Sequence, residues 1–209
     1  MIASRSLRLD VRIGGTLTLA GLVVLVISGL IVRNGRVGSA ERSVFNAVNR
    51  LPDWLYRPLW VFQQFGNLVV ALLVVLVVAA LLRRADLAAA AVVAVVAKLL
   101  LERVVKSVVE RSRPGTTVAD AILRGEVSPG GLSFVSGHAT ITVAMALALT
   151  AVVPRRWCAV VWLVVFFNGF TRVYVGAHNP LDVVGGAGLG LVIGGPLYAW
   201  LAADVVQSS

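Results

Sequence analysis

Long apolar runs separated by short polar or charged turns set the pattern of this sequence. A helix needs roughly 20 apolar residues to cross the hydrocarbon core of a bilayer, and six runs approach or exceed this length. The pattern therefore predicts an all-α, polytopic membrane protein, with six transmembrane helices in one bundle and a single domain over residues 1–209. The predicted spans are Ile13–Val32, Leu68–Leu82, Leu87–Ser112, Gly137–Val153, Trp157–Tyr174 and Pro180–Ala203.

The first span and a polar connection occupy residues 1–60. Within the connection, Ser39–Arg50 is predicted to form a short helix at the membrane surface. Trp54, Tyr56 and Trp60 follow it, and such residues are typical of the membrane–water interface. We therefore expect the connection to lie at that interface.

Composition supports a membrane protein, since 58% of the residues are hydrophobic and only 14% are charged. The formal net charge of +9 comes from arginines that mostly lie between the apolar runs, where they set topology and meet anionic headgroups. No interleaving of basic and aromatic residues indicates a nucleic-acid partner. Cys158 is the only cysteine, which excludes a disulfide framework and a cysteine-based metal site. Abundant Ala, Val, Gly and Arg favour a bacterial source, and hence a bacterial plasma membrane.

Two short basic turns predict the orientation. Arg83-Arg84 and Arg155-Arg156 lie on the same side as the N-terminus if there are six spans, and the positive-inside rule makes that side cytoplasmic. The loops covering residues 113–138 and 172–178 then meet on the opposite, extracytoplasmic face. The basic loop after the first span argues against this orientation.

The second half of the third predicted span is charged. Lys98, Glu102, Lys106 and Glu110 are spaced by four and therefore share a helix face. Charges at this depth are costly unless they pair inside the bundle. We interpret Lys98 and Glu102 as a buried structural ion pair, separate from any site.

The stretch from Thr171 to Asp182 carries candidate chemistry between two apolar runs. Asn179 followed by Pro180 predicts an N-cap and first helical residue, which places Asp182 in the first turn of the last helix. His178 lies four residues before Asp182, so the carboxylate could bind one imidazole nitrogen and leave the other as base, nucleophile or ligand. A capped helix with a polar lead-in is the alternative.

Two further stretches add cations and a helix start. Lys106 and Arg113 are seven residues apart, nearly two helical turns, and so would point to the same side. Ser136-Gly137-His138 begins the fourth predicted span, where free backbone amides can bind an anion. With Arg172, these groups predict a phosphate site that contains both histidines of the chain.

The three stretches resemble the motifs of the type 2 phosphatidic acid phosphatase superfamily, which read Lys-x6-Arg-Pro, Pro-Ser-Gly-His and Ser-Arg-x5-His-x3-Asp. The resemblance covers about residues 60–205, with the motifs between residues 106 and 182. Val135 replaces the proline of the second motif and Thr171 the serine of the third, and neither change removes a charged or catalytic group. The matching residues are Lys106, Arg113 and Pro114; Ser136, Gly137 and His138; and Arg172, His178 and Asp182.

The resemblance implies a role for each matching residue. His178 would attack phosphorus to form a phosphohistidine, Asp182 would orient it, and His138 would protonate the leaving oxygen and later help activate water. No metal and no cofactor would be required. The phosphoryl oxygens would be held by Lys106, Arg113, Ser136, Gly137 and Arg172.

The implied function is an integral-membrane lipid phosphatase with its active site at the outer membrane–water interface. It would remove a terminal phosphate, preferably from a polyprenyl diphosphate such as undecaprenyl diphosphate, with the lipid tail left in the bilayer between helices. Phosphatidate or phosphatidylglycerophosphate is the second substrate class. Two other functions stay open: a lipid phosphotransferase with the same phosphohistidine, and a transporter or scaffold with a degenerate site.

Overall fold

A computed structural model describes the backbone of residues 2–208 and the side chains of residues 9–203. Within this part of the chain the regular structure is helical, apart from an isolated antiparallel bridge between Ser112 and Leu132. The all-α prediction is therefore confirmed. The helices are α1 (Ile2–Val32), α2 (Ser39–Asn49), α3 (Tyr56–Gln64), α4 (Leu68–Leu82), α5 (Ala85–Val108), α6 (Pro114–Thr117), α7 (Gly137–Thr150), α8 (Arg155–Tyr174) and α9 (Pro180–Ser208), with a 3-10 turn at Asp53–Leu55.

Helix α4 begins and ends at the predicted residues because both ends carry local stop signals. Oδ1 of Asn67 accepts hydrogen bonds from the amides of Val69 (3.0 Å) and Val70 (3.3 Å), as an N-cap residue should. At the other end, Arg83 adopts a left-handed conformation with φ 55°. Such a residue stops a helix and satisfies its last carbonyls.

Helix α5 ends at Val108, four residues before the predicted end at Ser112. Arg113 is instead the N-cap residue of the short helix α6. Lys106 and Arg113 therefore do not lie on one helix, as their spacing suggested, although both cations still act on His178 as expected. The residues after Val108 leave the helix, and Arg111 turns into the protein with 0% of its surface exposed.

The connection after α1 contains more helix than its sequence indicated. Helix α2 forms close to the predicted bounds, but α3 was not predicted. Helices α3 and α4 meet at a bend of 59°, with Gly66 at the break. A methyl group on Gly66 would lie 2.7 Å from Cδ2 of His138, so only glycine lets this bend approach that histidine.

Helix α7 is the central helix of the described bundle. All ten residues from Ala139 to Ala148 are buried, and α7 packs against α4, α5, α8 and α9. Gly190 of α9 faces it so closely that an added methyl group would lie 2.6 Å from Cβ of Val143. Small residues at such positions let helices pack closely. The other extensive contact of α9 is with α1.

Three described helices are long and apolar enough to cross a bilayer: α1 from Leu9, α8, and α9 as far as Ala203. The bent pair α3–α4 would be a fourth span. Helix α7 has 14 residues, and α5 carries charges along its second half. The protein is thus a membrane protein, while the number of six spans stays a prediction.

Candidate active site

The loop from α8 to α9 fixes His178 beside Arg172. Helix α8 ends at Tyr174, and Gly176 then adopts a left-handed conformation with φ 75°. This turn lets the amides of Ala177 (3.0 Å) and His178 (3.2 Å) donate to the carbonyl of Arg172. The arrangement is the usual glycine termination of a helix, and here it holds a histidine next to the last basic residue of α8.

Helix α9 begins at Pro180 as predicted, but carboxylates rather than Asn179 cap it. Oδ2 of Asp182 accepts a hydrogen bond from the amide of Asn179 (2.8 Å). Oε1 of Glu41 accepts one from the amide of Leu181 (3.0 Å). Two carboxylates at a helix N-terminus suit the helix dipole, and they anchor Asp182 in the first turn.

Asp182 reaches His178 through a third residue. Nδ1 of His178 is 3.9 Å from Oδ2 of Asp182, too far for the direct hydrogen bond that we expected from their spacing. The hydroxyl of Ser133 lies between them: it donates to Oδ2 of Asp182 at 2.5 Å and is 3.2 Å from Nδ1 of His178. The prediction of a direct hydrogen bond between His178 and Asp182 was therefore wrong, and Ser133 is an additional residue of the site.

Arg111 holds the other oxygen of Asp182. Its Nη1 donates to Oδ1 of Asp182 (2.8 Å) and to Oε1 of Glu41 (3.0 Å), and its Nη2 donates to Oε2 of Glu41 (2.6 Å). This fully buried arginine thus neutralises two buried carboxylates. Sequence reasoning missed both Arg111 and Glu41. Arg111 could have been suspected from its place two residues before Arg113, whereas no sequence signal links Glu41 to the site.

The N-terminus of α7 meets the start of α9. Oγ of Ser136 caps α7 by accepting a hydrogen bond from the amide of Ala139 at 3.5 Å. The amide of Ser136 donates to the carbonyl of Asp182 (2.9 Å). This backbone bond joins the stretch that carries His138 to the stretch that carries His178.

Glu102 contacts residues of the site, although the sequence predicted that its ion pair with Lys98 would be separate from the site. Its carboxylate pairs with Lys98 and with Lys106, both at 2.7 Å. A methyl group on Gly137 would lie 2.6 Å from its Oε2. The predicted Lys98–Glu102 pair is present, but its separation from the site was wrong, because the same carboxylate positions Lys106 and touches the first turn of α7.

Two arginines of the site lack a carboxylate partner among the described residues. Arg172 is only 7% exposed, and the Nε atoms of Arg172 and Arg113 are buried without a hydrogen-bond partner. The charge that acts on Arg172 is a second cation, Arg113. Arg111, by contrast, lies between two carboxylates. Neighbouring guanidinium groups without a counter-ion among the described residues are suited to binding an anion such as phosphate.

The environment of His178 favours its neutral form. The residue is 3% exposed, and this burial lowers the pKa of its imidazole well below the ordinary value of 6.5. Nearby positive charges lower the pKa further; in decreasing order of effect, they belong to Arg172, Arg113 and Lys106. A neutral imidazole at neutral pH has a lone pair available for attack.

No cluster of three His, Cys, Asp or Glu side chains that could hold a metal ion occurs among the described residues. The site's positive charge is carried by Lys106, Arg113 and Arg172. Independence from metals and cofactors stays a prediction.

The helical membrane bundle brings two histidines together with two arginines that lack a carboxylate partner in the described part of the chain, an arrangement suited to an anion. Comparison with known proteins gives the family. A family model described as the PAP2 superfamily matches residues 87–205. This match covers more than half of the 209 residues and includes all three motifs. The chain belongs to the PAP2 superfamily.

Curated relatives match a shorter stretch. The lipid A 4′-phosphatase of Bacteroides thetaiotaomicron is 36% identical over 94 residues, which cover 44% of this chain and 41% of that protein. The undecaprenyl-diphosphatase of Sulfolobus acidocaldarius is 36% identical over 93 residues, which cover 44% of each. The chain therefore matches less than half of the length of these relatives.

Two solved structures share the fold. The crystal structure of Aquifex aeolicus LpxE aligns with a TM-score of 0.67 at 20% identity and covers 82% of this chain and 97% of that one. A transmembrane PAP2-type phosphatidylglycerolphosphate phosphatase from Bacillus subtilis also aligns with a TM-score of 0.67 at 20% identity, covering 91% and 94%. At this identity the likeness concerns the fold.

Proposed function

We propose that the protein is an integral-membrane phosphatase that removes the terminal phosphate of a lipid phosphate or diphosphate. The observation that carries the proposal is the pair of Arg172 and Arg113, which lack a carboxylate partner among residues 9–203 and act electrostatically on His178. Phosphoryl transfer depends mainly on positioning and on stabilisation of negative charge, and these residues can supply both. The names of the relatives, lipid A 4′-phosphatase and undecaprenyl-diphosphatase, support a lipid substrate.

His178 is the proposed nucleophile. Ser133 has a single hydroxyl proton, which it donates to Asp182, so its oxygen is left to accept a hydrogen bond from Nδ1 of His178. His178 then carries its proton on Nδ1 and a lone pair on Nε2. That lone pair attacks phosphorus, the bond between phosphorus and the lipid oxygen breaks, and a phosphohistidine forms.

His138 is the proposed acid and base. It gives a proton to the lipid oxygen as this oxygen leaves, which general-acid catalysis requires for a poor leaving group. It then takes a proton from the water that attacks the phosphohistidine. The phosphorus–nitrogen bond breaks, inorganic phosphate leaves, and both histidines regain their starting states.

The phosphoryl oxygens are bound by three cations and the start of α7 in this proposal. Lys106, Arg113 and Arg172 supply positive charge, and Ser136 and Gly137 supply polar groups at a helix N-terminus, where backbone amides attract anions. These groups stabilise the negative charge of the five-coordinate phosphorus. Neither a metal nor a cofactor takes part.

The proposed setting is the plasma membrane of a bacterium, with the site at the extracytoplasmic interface. A site at this depth meets a headgroup while the tail stays in the hydrocarbon. A polyprenyl diphosphate is the preferred substrate, and phosphatidate or phosphatidylglycerophosphate is the second class.

The test is a phosphate-release panel on the purified protein. The substrates are a prenyl diphosphate, a prenyl monophosphate, phosphatidate, phosphatidylglycerophosphate and lipid A, with and without EDTA. Arg172→Ala should lose release, whereas Arg156→Ala, which changes an exposed arginine at the other end of α8, should keep it. EDTA should have no effect.

Three outcomes contradict parts of this proposal. Absence of free phosphate from a folded protein with every substrate contradicts phosphatase function. Transfer of phosphate to an added alcohol without free phosphate identifies a phosphotransferase. Loss of activity in EDTA that magnesium restores contradicts the metal-independent mechanism.

A further inference from the structure

An apolar groove begins near the candidate active site and runs along the central helix α7 toward its C-terminal end. Its floor is α7 from Thr142 to Leu149, with Val153 just beyond the end of this helix, and its walls are formed by α4 and α8, with Val74 and Val164 on opposite sides. The cavity has a volume of about 320 Å³. Because α4 and α8 each pack on α7, and both belong to segments long and apolar enough to cross a bilayer, the groove lies among candidate membrane-spanning helices.

The floor of this groove lies on the same face of α7 as His138. The floor residues Thr142, Ala146 and Leu149 follow His138 at intervals of three or four positions, so they form one stripe along the helix. The groove therefore begins one turn below His138. From Thr142 to Leu149 its floor extends for about 10 Å at 1.5 Å per residue, roughly a third of a ~30 Å hydrocarbon core.

The upper end of the groove offers little to a polar group. Thr142 lines this end, and its hydroxyl already donates to the carbonyl of His138 (2.7 Å), with the carbonyl of Phe65 at 3.5 Å. Below it the floor is formed by alanine, methionine, leucine and valine. Such a surface suits a hydrocarbon chain, and it leaves no room for a sugar or glycerol that needs hydrogen bonds of its own.

We propose that this groove holds the hydrocarbon chain of the substrate's leaving group, attached close to the phosphate as in a prenyl phosphate or diphosphate. The inference rests on the proposed function, in which His138 protonates the leaving oxygen at the head of the same stripe. Lipid tails are as apolar as the groove, so the bilayer already solvates the chain. The groove therefore contributes more to the orientation of the substrate than to its affinity. It favours substrates whose hydrocarbon chain begins close to the phosphate, because the groove begins one helical turn from His138, the proposed acid.

The test compares tryptophans inside and outside the groove. Val164→Trp and Val74→Trp place a large ring in the groove from its two walls. Leu163→Trp and Leu73→Trp place the same ring on the neighbouring lipid-facing positions, which are 54% and 55% exposed. Because orientation of a reacting group is worth a large factor, we expect the groove variants to lose about tenfold or more in kcat/KM for a long prenyl diphosphate relative to their controls. Hydrolysis of p-nitrophenyl phosphate, which has no chain, should be equal in all four.

Equal loss in groove and control variants would overturn the proposal. Loss of p-nitrophenyl phosphate hydrolysis in a groove variant would show damage to the fold, and a second measurement then decides. A prenyl phosphate with a diazirine in mid-chain should label wild-type residues 142–164 on light exposure. Labelling of α1 instead, or equal labelling of residues 142–164 by a phosphatidylcholine with the same diazirine, would overturn the proposal. This label reports binding even if no phosphate is released, so it separates failure of the groove from failure of the proposed function.

Discussion

The hydroxyl of Ser133 donates to the carboxylate of Asp182 at 2.5 Å, although 49 positions separate the two residues. The same hydroxyl is 3.2 Å from Nδ1 of His178. Ser133 therefore connects the carboxylate to the imidazole, and its single proton determines which imidazole nitrogen carries hydrogen. In the proposed mechanism this makes Ser133 a positioning residue for the nucleophile.

We expect Ser133→Ala to lower kcat by roughly 10–100-fold, the usual cost of removing a partner that orients a catalytic group. KM should change little, because Ser133 lies behind His178 rather than against the phosphoryl group. Ser133→Thr, which keeps the hydroxyl, should recover part of kcat. Steady-state kinetics of the three proteins check this prediction. A rise in KM without a change in kcat, or equal loss in the alanine and threonine variants, would contradict the positioning role.

Arg111→Ala should destabilise the protein strongly. The change leaves the carboxylates of Glu41 and Asp182 buried without their cation, and breaking a buried ion pair in this way typically costs about 3–5 kcal/mol. Arg42→Ala, at an exposed position beside Glu41, should stay within about 0.5 kcal/mol of the wild type. Thermal unfolding in detergent measures the difference. Equal melting temperatures for the two variants would show that Arg111 is not needed for the fold.

Local signals in the sequence were enough to predict several elements. Asn67 and Arg83 bound α4, and Pro180 starts α9, because capping and proline geometry act within a few residues. Such short-range chemistry is readable without a structure. The motif residues were found through their resemblance to the motifs of a known family, and their roles in the site stay a prediction.

Long-range partners could not be predicted in the same way. Glu41 and Arg111 meet across 70 positions, and nothing in the spacing of either residue indicates the other. The early end of α5 at Val108 is a tertiary effect: a helix that continued to Ser112 would carry Arg111 away from Asp182. The contacts of buried Arg111 with Glu41 and Asp182 outweigh the local preference of these residues for helix, as tertiary context often does.

The predicted orientation can be tested by labelling single cysteines in a Cys158→Ser background. Glu126→Cys lies on the exposed loop near the site, and Arg156→Cys lies in the exposed turn before α8. If the site is extracytoplasmic, an impermeant thiol reagent added to intact cells should label position 126 and not position 156. The reverse result would place the site in the cytoplasm.

In a plot of kcat/KM against pH, the acid limb, where activity falls as the pH is lowered, should lie below pH 6.5. Burial and neighbouring cations lower the pKa of His178, so its imidazole stays neutral until the pH falls well below the ordinary value, and kcat/KM reports this free-enzyme group. Arg113→Ala removes one cation, which raises the pKa of His178 and should move the acid limb to higher pH. Arg156→Ala, at the other end of α8, should leave it in place. A limb that does not move in Arg113→Ala would contradict this electrostatic account.

The roles of the two histidines can be separated by the leaving group. A lipid alcohol leaves poorly and needs a proton, whereas p-nitrophenolate leaves unaided. General-acid help is typically worth roughly 10²–10⁴-fold, so His138→Ala should lose about this factor on a lipid substrate. On p-nitrophenyl phosphate its phosphorylation step should be largely kept, visible as a burst of p-nitrophenolate before slow turnover.

His178→Ala should give neither burst nor turnover on either substrate, because no phosphoenzyme can form without its Nε2. Rapid-mixing absorbance at known enzyme concentration measures the burst, and its amplitude should approach one equivalent per active site in His138→Ala. The contrast follows from the structure: His178 is fixed by Ser133 and Asp182, whereas His138 lies at the start of α7, at the head of the apolar groove. A burst that survives in His178→Ala and is absent from His138→Ala would exchange the two roles.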